Sequence, residues 1–241
     1  MYPRHYFDYF RSFERHPRVF VAMPFSRENQ PRWLRTYAPA VRRVGMRGLR
    51  VDQRKTGSSI QTDILEAIAE CRLVLVDVSC DKNGVRNANV VYELGLAHAC
   101  RLPEEVIVIR TDTDKLPFDF TQMRVHHVPA DDFAAARDLV ELLLRAALND
   151  IDVMRDRILD RTLESLDPDA RFILRHEGKK ARIPAFQAKD GMYGHLSYSD
   201  LRGVLRRLVQ VQVFKVVDSG RSGLSHFELT ALGKAVVAKL T

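Results

Sequence analysis

Leu73-Val-Leu-Val-Asp-Val78 is an almost wholly apolar run with a single carboxylate near its end. Such an apolar run is typical of a strand that is buried on both faces, because neither of its faces contacts water. Other runs of strand length, rich in apolar and β-branched residues, recur along the first 130 residues. They predict four more strands, over residues 18–23, 48–52, 106–109 and, at a sheet edge, 125–128.

Helical patterns alternate with these strands. Helices are predicted over residues 32–45, from Ser58 or Ser59 through Cys71, over 89–100 and over 134–148. Pro39 is expected to kink the first of them, whose apolar side is formed by Trp33, Leu34, Tyr37, Val41 and Val44. Repeated strand–helix units predict an α/β fold, namely a flavodoxin-like five-stranded parallel sheet of order 2-1-3-4-5 with helices on both faces.

The strand–helix alternation stops after Asn149. Helices over residues 150–177 break at Asp167-Pro168, and a helix capped by Ser197 runs to Leu208. Two strands, over 211–217 and 225–229, flank a turn, and Thr230 caps a last helix to Leu240. This order is typical of a winged helix. We therefore expect an N-terminal arm over residues 1–17, an α/β domain over 18–149, and a helical linker with a winged-helix domain over 150–241.

Composition and charge limit the classes of function. The chain has 241 residues, of which 46% are hydrophobic and 29% charged, as in ordinary globular proteins. Neither a signal-peptide pattern nor an apolar run of about 20 residues is present, and three cysteines without metal-ligand spacing suggest reduced thiols. These features predict a cytoplasmic protein without a membrane partner. Net charge is +7, and +5 of it falls in residues 151–241, which admits nucleic acid as a partner.

The carboxyl ends of the predicted strands indicate where a ligand binds. In an open parallel sheet, ligands collect beyond these ends, near the point where the strand order reverses. Residues 57–59 open a helix whose free N–H groups suit a phosphate. The predicted ligand-binding residues at this edge are Met23, Pro24, Phe25, Asp52, Ser58, Ser59, Ser79, Asn87 and Asn89.

Two carboxylates at this edge are candidates for chemistry. Glu93 lies about one turn into its helix, near the small residues Gly95 and Ala97, which permit close helix–strand packing. Cleaving a bond between a base and ribose builds positive charge at C1′, which a carboxylate can attack or stabilise. Alternatively, Glu93 is favoured there by the helix dipole alone. Asp77 is either a pocket residue or a cap for the next turn.

Several well-known site patterns do not occur in the sequence. It contains no GxGxxG after the first strand, no Walker lysine loop, no HExxH and no paired CxxC. A P-loop NTPase, a typical dinucleotide oxidoreductase and a zinc enzyme are therefore disfavoured. We expect neither a metal site nor a resident cofactor, so that NAD or a nucleotide would serve as substrate or ligand.

Five sequence blocks in the same order resemble the nucleoside 2-deoxyribosyltransferase-like group, and more closely its TIR-like branch of bacterial nucleotide-binding and defence proteins. The likeness covers roughly residues 18–128. The most specific block is Asn87-Ala-Asn-Val-Val-Tyr-Glu-Leu-Gly-Leu-Ala-His98. The other four are Val19-Phe-Val-Ala-Met-Pro-Phe25, Ile60-Gln-Thr-Asp-Ile64, Leu75-Val-Asp-Val-Ser79 and Leu116-Pro-Phe-Asp119.

The resemblance implies roles for the candidate residues. Glu93 would be the catalytic carboxylate, Asp77 would contact the sugar, and residues 23–25 would line the base or nicotinamide pocket. The loops after the first strand and before Glu93 differ from those of deoxyribosyltransferases proper. This difference favours a ribonucleotide or NAD as the substrate, cleaved at its N-glycosidic bond. The resemblance also implies a homo-oligomer. A non-catalytic nucleotide sensor and a scaffold with a vestigial pocket are the alternatives.

The C-terminal half resembles winged-helix domains, most visibly in Phe227-Glu-Leu-Thr-Ala-Leu-Gly-Lys234. The same pairing of domains occurs in effectors of some retron defence systems, which by analogy implies an antiphage or stress role. DNA or RNA would meet the exposed side of the Ser197 helix and the wing tip, whereas dimerisation or protein docking is the alternative use. The predicted nucleic-acid-binding residues are Arg202, Arg206, Arg207 and Arg221.

Overall fold

The computed structural model describes residues 15–50, 60–116, 123–180, 183–184, 196–218 and 225–241. The predictions for Asp52, Ser58, Ser59 and Arg221, and for the arm up to residue 14, fall outside these residues. Contacts divide the chain into two compact units, Met1–Asp152 and Val153–Thr241. No helix among the described residues is long and apolar enough to cross a membrane.

Five strands form the sheet of the first unit. They are β1 (His16–Ala22), β2 (Arg47–Leu49), β3 (Cys71–Asp77), β4 (Val106–Arg110) and β5 (Val125–His127). All neighbouring strands run parallel, in the order β2-β1-β3-β4-β5. The predicted flavodoxin-like sheet order is therefore confirmed, and β5 is the predicted edge strand.

Strand β3 lies at the centre of this sheet and separates two apolar layers. Leu73 and Leu75 point into the core that also holds Tyr37 and Val140. The alternate side chains of β3, such as Val74, point into the opposite core. Successive side chains of a strand face opposite sides, so a strand covered on both faces must be apolar at nearly every position. This explains the uninterrupted apolar run with which the sequence signals β3.

Among the described residues, the helices that cover the two faces are α1 (30–43), α2 (Ile60–Glu70), α3 (Ala88–Cys100) and the first part of α4 (Phe133–Ser165). Inside α1, the segment Trp33–Tyr37 is π-helical, and the N–H of Ala38 bonds to the carbonyl of Trp33. The wider turn directly precedes Pro39, whose ring would crowd a regular α-helical turn. The expected irregularity is thus a π-helical turn. Leu34, predicted on the apolar side, is 55% exposed.

Helix α2 passes into β3 without a connecting loop, although the helix was predicted to extend through Cys71. Arg101 explains the direct passage. Its buried guanidinium donates hydrogen bonds to the carbonyls of Cys71 (2.6 Å), Arg72 (2.7 Å) and Ile68, and to the Glu105 carboxylate (2.7 Å). Carbonyls at a helix end lack intrahelical partners, and Arg101 supplies donors that a loop would otherwise bring.

Helix α4 is longer than predicted, because it continues past residue 148 and past the boundary between the units. The second unit adds helices α5 (Pro168–Glu177), α6 (Tyr198–Gln210) and α7 (Ala231–Leu240), and strands β6 (Ile183–Pro184), β7 (Phe214–Asp218) and β8 (Ser225–Leu229). The predicted break is present, since the Asp167 side chain accepts a hydrogen bond from the N–H of Ala170 and Pro168 opens α5.

The strands of the second unit form an antiparallel sheet of order β6-β8-β7. Strand β6 was not predicted. Strand β7 begins at Phe214 rather than at Val211, because Gln212 has a φ of 61° and closes the end of α6 in a left-handed conformation. Ser197 and Thr230 cap α6 and α7 as predicted. The assignment of this unit to the winged-helix class stays a prediction.

Two helix glycines with opposite surroundings test the packing. A Cβ at Gly233, near the start of α7, would overlap the carbonyl of Val213, whereas one at Gly95 in α3 meets nothing within 4 Å. We expect Gly233→Ala to destabilise the second unit by about 1–3 kcal/mol through overpacking. We expect Gly95→Ala to stabilise the first unit by about 0.5–1 kcal/mol through helix propensity. Thermal unfolding of both variants measures these changes.

An unchanged melting temperature for Gly233→Ala would contradict the close approach of α7 to Val213. A melting temperature that fell for Gly95→Ala would contradict its open surroundings. The expectation that Gly95 permits close helix–strand packing is wrong, because Gly95 is exposed. Of the two small residues, only Ala97 is buried against the sheet.

Candidate functional site

Asp77 ends β3 with a buried carboxylate that accepts hydrogen bonds at both oxygens. Its Oδ2 accepts from the Tyr37 hydroxyl at 2.7 Å and from the Arg32 guanidinium at 3.2 Å. Its Oδ1 accepts from the backbone N–H of Ser79 at 3.0 Å and from the Ser79 hydroxyl. Asp77 is 1% exposed. It therefore caps the turn after β3 and also holds two side chains of α1.

Burial of this carboxylate depends on its donors. A carboxylate removed from water is costly unless it is paired and hydrogen-bonded. Arg32 supplies the compensating charge, while Tyr37 supplies a donor from within the core. Burial, followed by the nearby Asp77 charge, holds the pKa of the Tyr37 hydroxyl well above its usual range. Tyr37 thus stays a neutral donor at any physiological pH.

Removal of this one donor gives a direct measure of the network. We expect Tyr37→Phe to lower the free energy of unfolding by about 1.5–3 kcal/mol, the range for a hydrogen bond to a charged group. Urea unfolding of the wild type and the variant tests this, and a change below about 0.5 kcal/mol would contradict the role of Tyr37.

Glu93 lies on the face of α3 that packs against the sheet. It shares that face with the buried residues Val90, Leu94 and Ala97, and is itself 5% exposed. Among the described residues, none donates a hydrogen bond or pairs a charge with its carboxylate. Burial raises the pKa of Glu93 to about 7. A helix-dipole role would place Glu93 in the first turn, but it is the sixth residue of α3.

A raised carboxyl pKa makes stability depend on pH in a definite direction. Between the ordinary glutamate pKa of about 4.5 and the folded value of about 7, the folded state binds more protons than the unfolded state. Stability contributed at this position is therefore present at low pH and lost as the pH rises through 7. Glu93→Gln removes that loss, since the amide does not ionise.

We therefore compare the free energy of unfolding of Glu93→Gln with that of the wild type at two pH values. The difference in favour of the variant should be about 1–3 kcal/mol larger at pH 8 than at pH 5. Urea unfolding of both proteins at the two pH values gives this difference, in which all other titrating groups cancel. Glu104→Gln, at a half-buried position just before β4, is the control and should show the same small effect at both values. A difference independent of pH for Glu93→Gln would contradict the buried carboxylate.

A cleft of about 500 Å³ opens between the loops that follow β1 and β3. The strand order reverses between these two strands, which is where ligands bind in open α/β sheets. Arg32 and Ser79 line the cleft and also hold the Asp77 carboxylate, so Asp77 fixes part of the cleft wall. The described lining residues are Pro24, Ser26, Glu28, Asn29, Arg32, Ser79, Cys80, Asp81, Lys82, Val85, Arg86 and Asn87.

Three of the predicted ligand-binding residues line this cleft: Pro24, Ser79 and Asn87. Asn87 also caps α3, because its side-chain oxygen accepts from the N–H groups of Asn89 (3.0 Å) and Val90 (3.2 Å). Met23 is buried, and Asn89 is exposed. Asp77, Glu93, Met23, Phe25 and Asn89 are not among the described residues that line the cleft.

Phe25 and Arg50 form a second feature of the same sheet edge. The Arg50 guanidinium lies 5.3 Å from the ring centroids of both Phe25 and Trp33. It also donates a hydrogen bond to the Gln30 side chain at 3.1 Å. Arg50 is 3% exposed, whereas Phe25 is 49% exposed. Phe25 therefore presents one ring face to Arg50 and keeps half of its surface open at the predicted base-binding loop.

Cys80, Asp112 and Asp114 bring three ligand atoms of the kind that bind metals within 4.8 Å of one another. Asp112 is already engaged, since it accepts from the N–H of Cys80 at 2.8 Å and pairs with Arg86 at 3.0 Å. A cation here would compete with the Arg86 guanidinium. The chemistry of this cluster therefore favours an ion pair that anchors the loop after β3 over a metal site.

Three of the arginines predicted to meet nucleic acid, Arg202, Arg206 and Arg207, lie on the exposed side of α6, opposite the buried Leu201 and Leu208. Arg207 donates to the Asp167 carboxylate at 2.8 Å, so this guanidinium is paired within its own unit. Arg202 and Arg206 are exposed as well. Their contact with nucleic acid stays a prediction, as does the homo-oligomer implied by the resemblance.

Sequence reasoning missed the two donors that α1 brings to Asp77. Tyr37 was assigned to the apolar side of the helix, where it indeed lies, but its hydroxyl was given no role. Arg32 was placed at the start of the helix without a partner. The available signal was the buried acid at the end of β3, because a carboxylate inside an α/β core requires donors from a neighbouring element.

Comparisons with known proteins add little to this description. Neither a family model nor a curated protein matches the chain. Among solved structures, it is similar to a 2-desoxiribosyltransferase from Leishmania mexicana, with 16% identity and a TM-score of 0.35. That likeness covers 48% of this chain and 75% of the other. A TM-score of this size assigns neither fold nor function.

Proposed function

We propose that the first unit binds a nucleotide at the carboxyl edge of its sheet and cleaves the N-glycosidic bond. In this proposal the ionised Glu93 carboxylate attacks C1′ or stabilises the cation that develops there, and water or a second base accepts the sugar. NAD and ribonucleotides are the candidate substrates. The role in defence implied by the domain pairing would follow from depletion of such a nucleotide.

The observation that carries the proposal is the state of Glu93. Burying a carboxylate costs stability, and among the described residues no paired charge offsets that cost for Glu93, which is 5% exposed. Perturbed carboxyl groups cluster at functional sites, because a pKa near the working pH suits a group that changes its charge or bonding during a reaction. The pKa of about 7 caused by burial of Glu93 fits that pattern.

The two carboxylates at this edge differ in a way that supports separate roles. Asp77 accepts four hydrogen bonds and is paired with Arg32, so its charge is already compensated. Such a group suits positioning: it fixes Arg32 and Ser79 in the cleft wall. Glu93 has no comparable partners among the described residues and suits the chemical step. The sugar contact implied for Asp77 would, in this arrangement, be indirect, through the cleft-wall groups that its carboxylate holds.

Base release is the direct test. Purified protein is incubated with NAD and with a panel of nucleotides, and free base is measured by chromatography. We expect the wild type to release base and Glu93→Gln to lose at least a thousandfold in rate, because the amide neither attacks nor carries charge. Since the ionised form acts, kcat/KM should rise as the pH increases through about 7, the raised pKa of Glu93.

Glu104→Gln serves as the control and should retain full activity. Circular dichroism of Glu93→Gln must match the wild type, so that a lost activity reports chemistry and not unfolding. Equal base release by the wild type and a folded Glu93→Gln would refute the role of Glu93. A rate that falls as the pH rises through 7 would instead assign the protonated carboxyl as a general acid.

A second candidate function, a nucleotide sensor without turnover, is favoured by one observation. The described wall of the cleft holds hydrogen-bond donors and cations, but neither of the two candidate catalytic carboxylates. Ligand binding measured by calorimetry, with no base released by either the wild type or the variant, is the outcome that distinguishes the sensor. The second unit would then report the bound state to DNA or to a protein partner.

A further inference from the structure

We propose that the cleft between the loops after β1 and β3 is a phosphate subsite, in which Arg32 and Lys82 bind the 5′-phosphate of the ligand. The inference deepens the proposed function and rests on it for the identity of the whole ligand, since the phosphate would belong to the nucleotide whose glycosidic bond is cleaved. It assigns the phosphate to this cleft rather than to the helix start at residues 57–59.

Arg32 has unused donors at the cleft wall. A guanidinium carries five N–H donors. Nη1 of Arg32 donates to the Asp77 carboxylate at 3.2 Å, and the guanidinium also interacts with the neighbouring Tyr37 hydroxyl, so these two partners do not use all five donors. Its side chain is 20% exposed and lines the cleft. Asp77 holds the guanidinium in place on one side, which leaves the remaining N–H groups for an acceptor on the other. An oxyanion matches several donors in one plane.

Lys82 supplies a second cation from the opposite loop. Its ammonium lies 3.7 Å from the Glu28 carboxylate, and both side chains are more than 70% exposed. An exposed pair of this kind contributes little, so a phosphate can take over the ammonium at small cost. The acidic group nearest in sequence, Asp81, has its Oδ1 engaged by the N–H groups of Asn83 and Val85, both at 2.9 Å.

The loop that carries Lys82 is anchored. Arg86 pairs with Asp112 at 3.0 Å and also donates to the carbonyl of Val78, while the N–H of Asp81 donates to the carbonyl of Val85 at 2.9 Å. These bonds close the loop on itself and fix it to the end of β3. A fixed loop lowers the entropy lost on binding, because its cation is already near the cleft.

The position of the cleft relative to Glu93 suits a nucleotide. Asn87 lines the cleft and caps α3, and Glu93 follows six residues later. Six residues of helix rise about 9 Å, a span within reach of one ribose 5-phosphate with contacts at both ends. The amino end of α3, a helix of 13 residues, opens at the cleft, and its dipole adds to the attraction for an anion.

Ribose 5-phosphate and ribose are the probes for this subsite, because neither contains a base and neither can be turned over. The dissociation constant of each is measured with the full chain by NMR titration. We expect ribose 5-phosphate to bind at least tenfold more tightly than ribose. Lys82→Gln should weaken ribose 5-phosphate three- to tenfold, and Arg32→Gln at least tenfold. Arg35→Gln, an exposed arginine of the same helix that does not line the cleft, should leave binding unchanged.

Equal affinity for the two sugars would overturn the proposal, as would a preference for the phosphate that survives both cleft variants. Arg32→Gln also removes the partner of Asp77, so its folding is checked by circular dichroism, and Lys82→Gln decides the matter if that variant does not fold. The result is independent of base release. If the protein prefers ribose 5-phosphate but releases no base, the subsite is supported and the proposed reaction is refuted. If it releases base but binds the two sugars equally, the reaction is supported and the subsite is refuted.

Discussion

The Asp77 carboxylate joins three parts of the first unit. It ends the central strand β3, accepts hydrogen bonds from Arg32 and Tyr37 of α1, and caps the turn that begins the next loop. A buried charge of this kind is tolerated only while all its partners are present. The Asp77 carboxylate therefore connects the sheet, α1 and the loop after β3. It also holds part of the wall of the cleft between the loops after β1 and β3.

The architecture could be predicted because it depends on patterns that repeat. A strand covered on both faces must be apolar throughout, which makes Leu73 to Val76 recognisable, and alternation with helices then restricts the sheet to a parallel order. Details that depend on single long-range contacts could not be predicted. The direct passage from α2 to β3 depends on Arg101, thirty residues later, and the exposure of Leu34 depends on a π-helical turn that shifts the apolar side of α1.

The candidate site divides in the same way. Asp77 and Glu93 became candidates because one acid ends the apolar run of β3 and the other lies near the start of a helix at the carboxyl edge of the sheet, and the structure buries both. Their partners were not recognisable, since Arg32 and Tyr37 lie about forty residues away and helical periodicity gives only the face on which a side chain lies. The cleft-lining role of Lys82 was likewise hidden, because a lysine in a polar loop is normally a solvated surface group.

Asp77 and Glu93 differ in how their buried carboxylates are compensated. Asp77 accepts four hydrogen bonds, from Arg32, Tyr37 and Ser79, and in the proposed function it positions these groups. Glu93 is buried without a donor among the described residues, and any positive charge brought near it would both stabilise its ionised form and lower its raised pKa. A developing cation at C1′ is such a charge. In the proposed reaction, the stability lost by burying Glu93 in the free protein would be recovered in the transition state, where stabilisation raises the rate.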